Sequence, residues 1–403
     1  MGNVFDGFLS TSQGLDAFGD KNFVAAMLRF EAALTRAQAD AGLVPPAAAL
    51  SIIGTCKVDL FDTQKIVRES ARAGSLAIPM VKALKEAVAL FNPDAVAYVH
   101  LGSTSQDVID TAMALIAKDL LAVIESDLHA CALTLLSLCE RYADTPILAR
   151  TLMQPASVTS FGLKCAHWAA PMVRSLGRIR AVKARALQVQ LGGAVGTLSR
   201  MQGKGAEITR LVAAELGLTA PAAPWHTQRD EWVALACELG LMTGSLGKLG
   251  KDISLLSQFE VGEVAEPHEA GRGGSSDMEH KRNPVASMTA LAAAQRAPQR
   301  VAAMLATMPQ EQERALGAWQ AELAECSQLF LSAVAGVHAM SLALPGLQVH
   351  PQRMLDNIQA VAKSQSHVLS GDAAYPWFDP ALAKEAGAQA RCYSAALRAE
   401  LPL

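Results

Sequence analysis

Between Gly271 and Pro284 the chain reads Gly-Arg-Gly-Gly-Ser-Ser-Asp-Met-Glu-His-Lys-Arg-Asn-Pro. Three glycines in its first four residues give a permissive backbone. Two hydroxyls follow, Ser275 and Ser276, and then the basic triplet His280-Lys281-Arg282. Asn283 is placed to cap the next helix, with Pro284 in its first turn. A helix N-terminus beside three basic side chains favours an anion. The plain alternative is an exposed loop that only caps a helix.

Three more polar segments precede long apolar patterns. His100-Leu101-Gly102-Ser103-Thr104-Ser105-Gln106-Asp107 offers hydroxyls and free N–H groups at a helix start, which can hold a carboxylate. Its plain reading is an N-cap by Thr104 or Ser105. Arg150-Thr151-Leu152-Met153-Gln154-Pro155-Ala156 reads as a polar turn before a helix. Pro224-Trp225-His226-Thr227-Gln228-Arg229-Asp230 is another such turn, and His226 reads as a packed or capping histidine rather than a catalyst. Arg229 and Arg314, taken alone, read as surface ion pairs.

The elements that must position these loops are helices. Strand patterns are scarce, and Ala, Leu, Met, Gln, Glu and Lys dominate. Val108, Ile109, Ala112, Leu115, Ile116, Leu120, Val123 and Ile124 step by three and four, as one helix face requires. Similar patterns run over 157–190, 229–258, 285–307 and 312–343, which predicts an all-α chain with a long-helix bundle. Breaks at Asn92-Pro93, Leu101-Gly102 and Pro345-Gly346 divide it into 1–101, an N-terminal helical domain; 102–345, the central bundle; and 346–403, a small C-terminal helical region. That last region starts with a helical run, Pro351 to Val368, and loosens at Ser370-Gly371-Asp372 and Tyr375-Pro376-Trp377.

Composition narrows the function classes. The 403 residues are 51% apolar and 18% charged, with a net charge of −3. A nucleic-acid or membrane-surface binder is usually basic, so neither partner is expected. The seven cysteines are spread singly with no CxxC pair, which suits reduced thiols in a cytoplasm. The first residues lack a basic n-region followed by an apolar one, so no signal peptide is expected. From Cys326 to His350 there is no Asp, Glu, Lys or Arg. Polar residues inside this stretch disfavour a membrane span. A helix buried all round inside an oligomer is the better reading.

Together the four loops, in this order, resemble the fumarase/aspartase superfamily. Its loop of the form GSSxMPxKxNP is matched from Gly274 to Pro284 at every fixed position but one, where Glu279 stands for Pro. Lyases of the superfamily carry Thr-His-x-Gln in their second region. Here that turn is Thr151-Leu152-Met153-Gln154, with Leu152 in place of His. This disfavours adenylosuccinate-type chemistry and points to the 3-carboxy-cis,cis-muconate cycloisomerase branch. The 224–230 turn, the run Leu191 to Leu198 and the segment Gln310 to Glu322 also resemble that branch, although Gln312 replaces its common His.

The resemblance implies a fumarase/aspartase-like homotetramer with a twenty-helix core, each active site collecting loops from three subunits. It implies a small polycarboxylate substrate, lactone-forming isomerisation in protocatechuate breakdown, and neither cofactor nor metal. Ser275 would exchange the alpha proton and Ser276 would help bind carboxylate. Lys281 and Asn283 would bind a carboxylate, with Lys281 also stabilising developing charge and His280 as an acid–base group. Ser103, Thr104 and Ser105 would hold a second carboxylate. Gln154 would lie near the ring-closing end, and Arg314 would hold a third carboxylate. The alternatives are an adenylosuccinate-type lyase that releases fumarate and an inactive structural homologue.

Overall fold

Six helices open the chain: α1 (Val4–Leu9), α2 (Ser12–Ala17), α3 (Asp20–Asp40), α4 (Pro46–Thr55), α5 (Thr63–Ala73) and α6 (Ala77–Ala89). The computed structural model describes residues 4–269, 271–365 and 376–401. Helix α3 forms because Val24, Met27, Phe30 and Leu34 fall on one face, and all four are buried. Burying one such side chain contributes about 2 kcal/mol. Helix α5 is stopped and started by its ends. Asp62 accepts the Lys65 N–H at 2.9 Å, and Gly74 closes the helix in the left-handed region.

Five long helices follow: α7 (Ser105–Arg141), α8 (Phe161–Ala186), α10 (Asp230–Leu256), α11 (Val285–Ala306) and α12 (Ala318–Ala343), with the shorter α9 (Gly205–Leu216) between. They are the long helices the sequence predicts. Two start later than expected, α8 at Phe161 and α12 at Ala318. Before α12, Gln312 and Gly317 have positive φ, which no helix accommodates.

Contact density divides the chain into two compact units, both discontinuous in sequence. The first comprises Met1–Ala122, Arg180–Cys237 and Gln299–Leu331. The second comprises Val123–Ile179, Glu238–Pro298 and Ser332–Leu403. Within the first, α3 packs on α4 and α9, and α5 on α6.

The second unit holds what the all-α expectation missed. Residues 150–156 are not a turn before a helix but the end of a β-hairpin, β1 (Pro146–Thr151) paired antiparallel with β2 (Gln154–Ser160). Leu152 and Met153 form its two-residue turn, both at positive φ, which matches the twist of a hairpin. The usual Asn-Gly signal is missing there, so the sequence hid the hairpin. Helices α13 (Pro351–Gln365) and α14 (Ala383–Glu400) pack on it, and Leu148, Val158, Ile358 and Ala383 form a common apolar cluster. A second small pair joins β3 (Val264–Ala265) to β4 (Gln348–Val349). The expected loosening at Ser370–Asp372 lies outside the described residues, as does Tyr375.

Helix α12, with its continuation to Gly346, is long and apolar enough to cross a membrane, yet 67% of its most apolar stretch is buried within the chain. Much of the cover expected from other copies is therefore supplied by the chain itself. Small residues allow it: a side chain on Gly336 would meet Ala293 at 3.1 Å. All seven cysteines are free.

Candidate active site

In the first unit the candidates gather around Asp107. Helix α7 starts at Ser105, so Thr104 is its N-cap. Asp107, three residues on, accepts the Thr104 N–H at 3.1 Å and the Ser103 hydroxyl at 3.4 Å. This is one half of a capping box. The same carboxylate accepts the N–H groups of Gly192 at 3.0 Å and Gly193 at 2.9 Å. His226 Nε2 lies 2.7 Å from its other side. Residue 193 must be glycine: φ is +68° and a Cβ would sit 2.7 Å from the Gly102 carbonyl oxygen. The anion at this helix start is thus the chain's own Asp107. The Thr104 and Ser105 hydroxyls make no hydrogen bond among the described residues.

Arg314 closes this group. Its guanidinium donates to the carbonyls of Gly193 and Ala194, both at 2.8 Å, and reaches Gln106 Oε1 at 3.5 Å. Carbonyls leave its charge uncompensated, and Arg314 forms no ion pair among the described residues. That suits a group able to receive a carboxylate.

Beneath lies a buried ionic layer. Arg229, expected as a surface cation, is 2% exposed. It donates to Asp110 at 2.8 Å and pairs with Glu322, while its guanidinium carbon sits 4.4 Å from the centre of the Trp225 ring. Burial pushes the Glu322 carboxyl up, against the opposing pull of Arg229. Trp319 Nε1 and the Gln106 and Gln190 amides also donate to Asp110. Gln106 donates on to the His226 carbonyl at 2.8 Å, tying this layer to the Asp107 group. The sequence understated His226 and Arg229. The signal available was Thr104-x-x-Asp107, a capping pattern that marks Asp107 as structural.

In the second unit, residues 273–283 form a closed loop. Asn283 N–H donates to the Gly273 carbonyl at 2.8 Å, and its side chain reaches Gly274 at 3.4 Å. Here too glycine is required, since a Cβ on Gly273 would lie 2.5 Å from the Asn283 carbonyl oxygen. Ser275 Oγ accepts the N–H groups of Met278 at 3.0 Å and Asp277 at 3.3 Å. Ser276, His280, Lys281 and Asn283 are exposed. The side chains of Ser276, His280 and Lys281 have no hydrogen-bond partner among the described residues. Asn283 does not cap α11. Glu266 does, accepting the Ala286 N–H at 2.9 Å and the Ser287 N–H at 2.8 Å. Asn283 instead lines a cavity of about 280 Å³ with His268, Arg272, Arg282 and Glu266.

Gln154, also in this unit, is the first residue of β2 and is exposed. Beside it the turn residues Leu152 and Met153 are 97% and 72% exposed. The candidates therefore form two sets, one of Ser103, Thr104, Ser105 and Arg314, the other of Gln154, Ser275, Ser276, His280, Lys281 and Asn283.

A mostly helical chain that presents hydroxyl-rich loops at the starts of long helices defines a fumarate-lyase-like fold. A family model described as lyase matches residues 9–298, and the chain belongs to that family. It is 44% identical over 355 residues to a 3-carboxy-cis,cis-muconate cycloisomerase of Pseudomonas aeruginosa, spanning 88% of this chain and 77% of that one. It is 40% identical over 353 residues to a nitrosuccinate lyase of Streptomyces davaonensis, spanning 85% and 74%. The crystal structure of the 3-carboxy-cis,cis-muconate lactonizing enzyme from Pseudomonas putida matches with a TM-score of 0.88 at 35% identity, over 99% of both chains.

Proposed function

We propose that this chain is a cycloisomerase that converts 3-carboxy-cis,cis-muconate to a carboxymuconolactone in the breakdown of protocatechuate. The observation that carries the reading is its likeness to cycloisomerases of that name over most of its length. A carboxylate oxygen of the substrate adds across a conjugated double bond and closes a five-membered ring. The electron pair moves onto the neighbouring carboxyl group as an aci-carboxylate, and a proton then joins the alpha carbon. The ring-closing carboxylate becomes an ester, so the ionised substrate takes up that one proton and loses one negative charge. The barrier lies in the doubly charged aci-carboxylate, which fixed donors and cations stabilise.

In this reading Ser275 exchanges the alpha proton. The two N–H groups on its oxygen support that role, because they stabilise the charged form of a hydroxyl. Lys281 neutralises the developing charge, with Asn283 and Ser276 on the same carboxylate and His280 as an acid–base group. Ser103, Thr104 and Ser105 hold a second carboxylate, Arg314 a third, and Gln154 sits at the ring-closing end. The two sets meet where subunits of a homotetramer adjoin, its long helices forming a twenty-helix core. The division into 1–101, 102–345 and 346–403 belongs to the same reading; it follows helix length, whereas the two compact units follow packing. The cytoplasm is the proposed location, with neither membrane nor nucleic acid as partner.

The test is the ultraviolet absorbance of 3-carboxymuconate, whose conjugated diene disappears on ring closure. The wild-type chain removes it, and Ser275→Ala slows removal by about a thousandfold without changing the oligomer. Near-normal turnover in Ser275→Ala takes Ser275 out of the mechanism. A second reading, a lyase that splits a succinyl adduct, is kept by the likeness to the nitrosuccinate lyase. Fumarate release from such an adduct, with no lactone formed from the muconate, would decide for it.

A further inference from the structure

Below the hairpin turn, within the second unit, lies a cavity of about 300 Å³. Three cations line it: Arg150 from β1, Lys164 from the first turn of α8 and Lys248 from α10. Two of them are already matched. Arg150 makes a two-pronged pair with Glu263, both contacts at 2.9 Å. Lys248 is held by Asp252, one turn on, which also accepts Trp168 Nε1 at 2.7 Å. The Lys164 side chain has no hydrogen bond and no ion pair among the described residues. Lys164 is half-buried, and Leu148, Leu255, Leu256 and Val261 make the rest of the wall apolar.

An ammonium without a partner in a confined, partly apolar space is costly. Burial is the main cause that pulls the Lys164 pKa below the ordinary lysine value. Lys248 and Arg150 add to it, and Asp252 and Glu263 do not make up the difference. Neither Asp252 nor Glu263 is free to pair with Lys164, since Asp252 already serves Lys248 and Glu263 serves Arg150.

We propose that this cavity binds a small oxyanion, a carboxylate or phosphate group, with the Lys164 ammonium as its charge partner. Low-dielectric walls strengthen that pairing relative to open water. The cavity also touches Met153, the neighbour of Gln154, so one source of the oxyanion is a carboxylate of the substrate itself. That last clause rests on the cycloisomerase reading; the site does not.

The probes are inorganic phosphate and propane-1,2,3-tricarboxylate, titrated calorimetrically at constant ionic strength. Lys164→Met weakens binding of at least one probe about tenfold or more, and Lys164→Arg keeps it within about threefold. Equal binding by wild type and Lys164→Met overturns the proposal. A measurement that keeps the lysine's charge, with no substitution, guards against misfolding of the variant. With lysines reductively methylated with ¹³C, the Lys164 signal titrates below the others, and its pKa moves up when the probe is added. No movement with either probe is also fatal. The source is read from kinetics. A tenfold rise in KM for the muconate with kcat kept assigns the site to the substrate, whereas an unchanged KM with lost phosphate binding assigns it to a free anion. If the wild type fails to close the lactone but phosphate binding still depends on Lys164, the functional reading falls and the site stands.

Discussion

His226 Nε2 lies 2.7 Å from Asp107 Oδ1, with both side chains buried. The contact joins the start of α7 to the turn before α10. The carboxylate also gathers the Gly192 and Gly193 N–H groups, so three separated segments share one acceptor. Asp107→Asn puts an amide group against these donors. The expected loss is about 3 kcal/mol of unfolding free energy, read from urea denaturation. A loss below about 0.5 kcal/mol would show that the carboxylate is not what holds the loops together.

Arg229 is the only cation between Asp110 and Glu322 among the described residues. Arg229→Met leaves two buried carboxylates facing each other. Breaking a buried pair from one side costs about 3–5 kcal/mol. Thermal unfolding checks this, and a variant as stable as wild type would mean that the acids take up protons or water at little cost.

His100 Nδ1 lies 2.6 Å from the buried carboxylate of Glu31. Burial works against the charged imidazole, but Glu31 outweighs it and the pKa is raised. A raised folded-state value means that the stabilisation is fully present below the ordinary imidazole range. It is lost as pH climbs through the folded-state value. The stability gap between wild type and His100→Gln is therefore widest near about pH 6 and narrows toward about pH 9. A gap that does not change with pH refutes the pairing.

Glu266 accepts two N–H groups at the start of α11. Glu266→Ala removes this cap and costs about 1 kcal/mol. Chemical denaturation reads the loss. An unchanged midpoint would mean that Asn283 or water replaces the cap freely.

The Lys281 side chain is exposed and has no hydrogen bond among the described residues, so Lys281→Met is expected to leave the unfolding midpoint within about 0.5 kcal/mol of wild type. Under the proposed function it raises KM for the muconate about tenfold. Unchanged saturation and rate remove Lys281 from the site.

The amino-acid sequence by itself determined the five long helices and the order of the loops. Apolar residues at three-and-four spacing over 20 or more residues admit one regular structure, and α7, α8, α10, α11 and α12 follow it. The serine loop was equally plain, since glycines, hydroxyls and bases cluster within one short segment. What only the tertiary structure decided are pairings between distant residues. Leu152 and Met153 carry no turn signal, and the hairpin exists because β1 and β2 find each other and are covered by α13 and α14. The cap of α11 comes from Glu266, some twenty residues upstream of the N–H groups it accepts. Arg229 looked like a surface charge because nothing local marks Asp110 and Glu322 as its partners. Local spacing reports the energies of a helix turn; it carries no record of which buried charge will meet which, and burial is what makes those meetings matter.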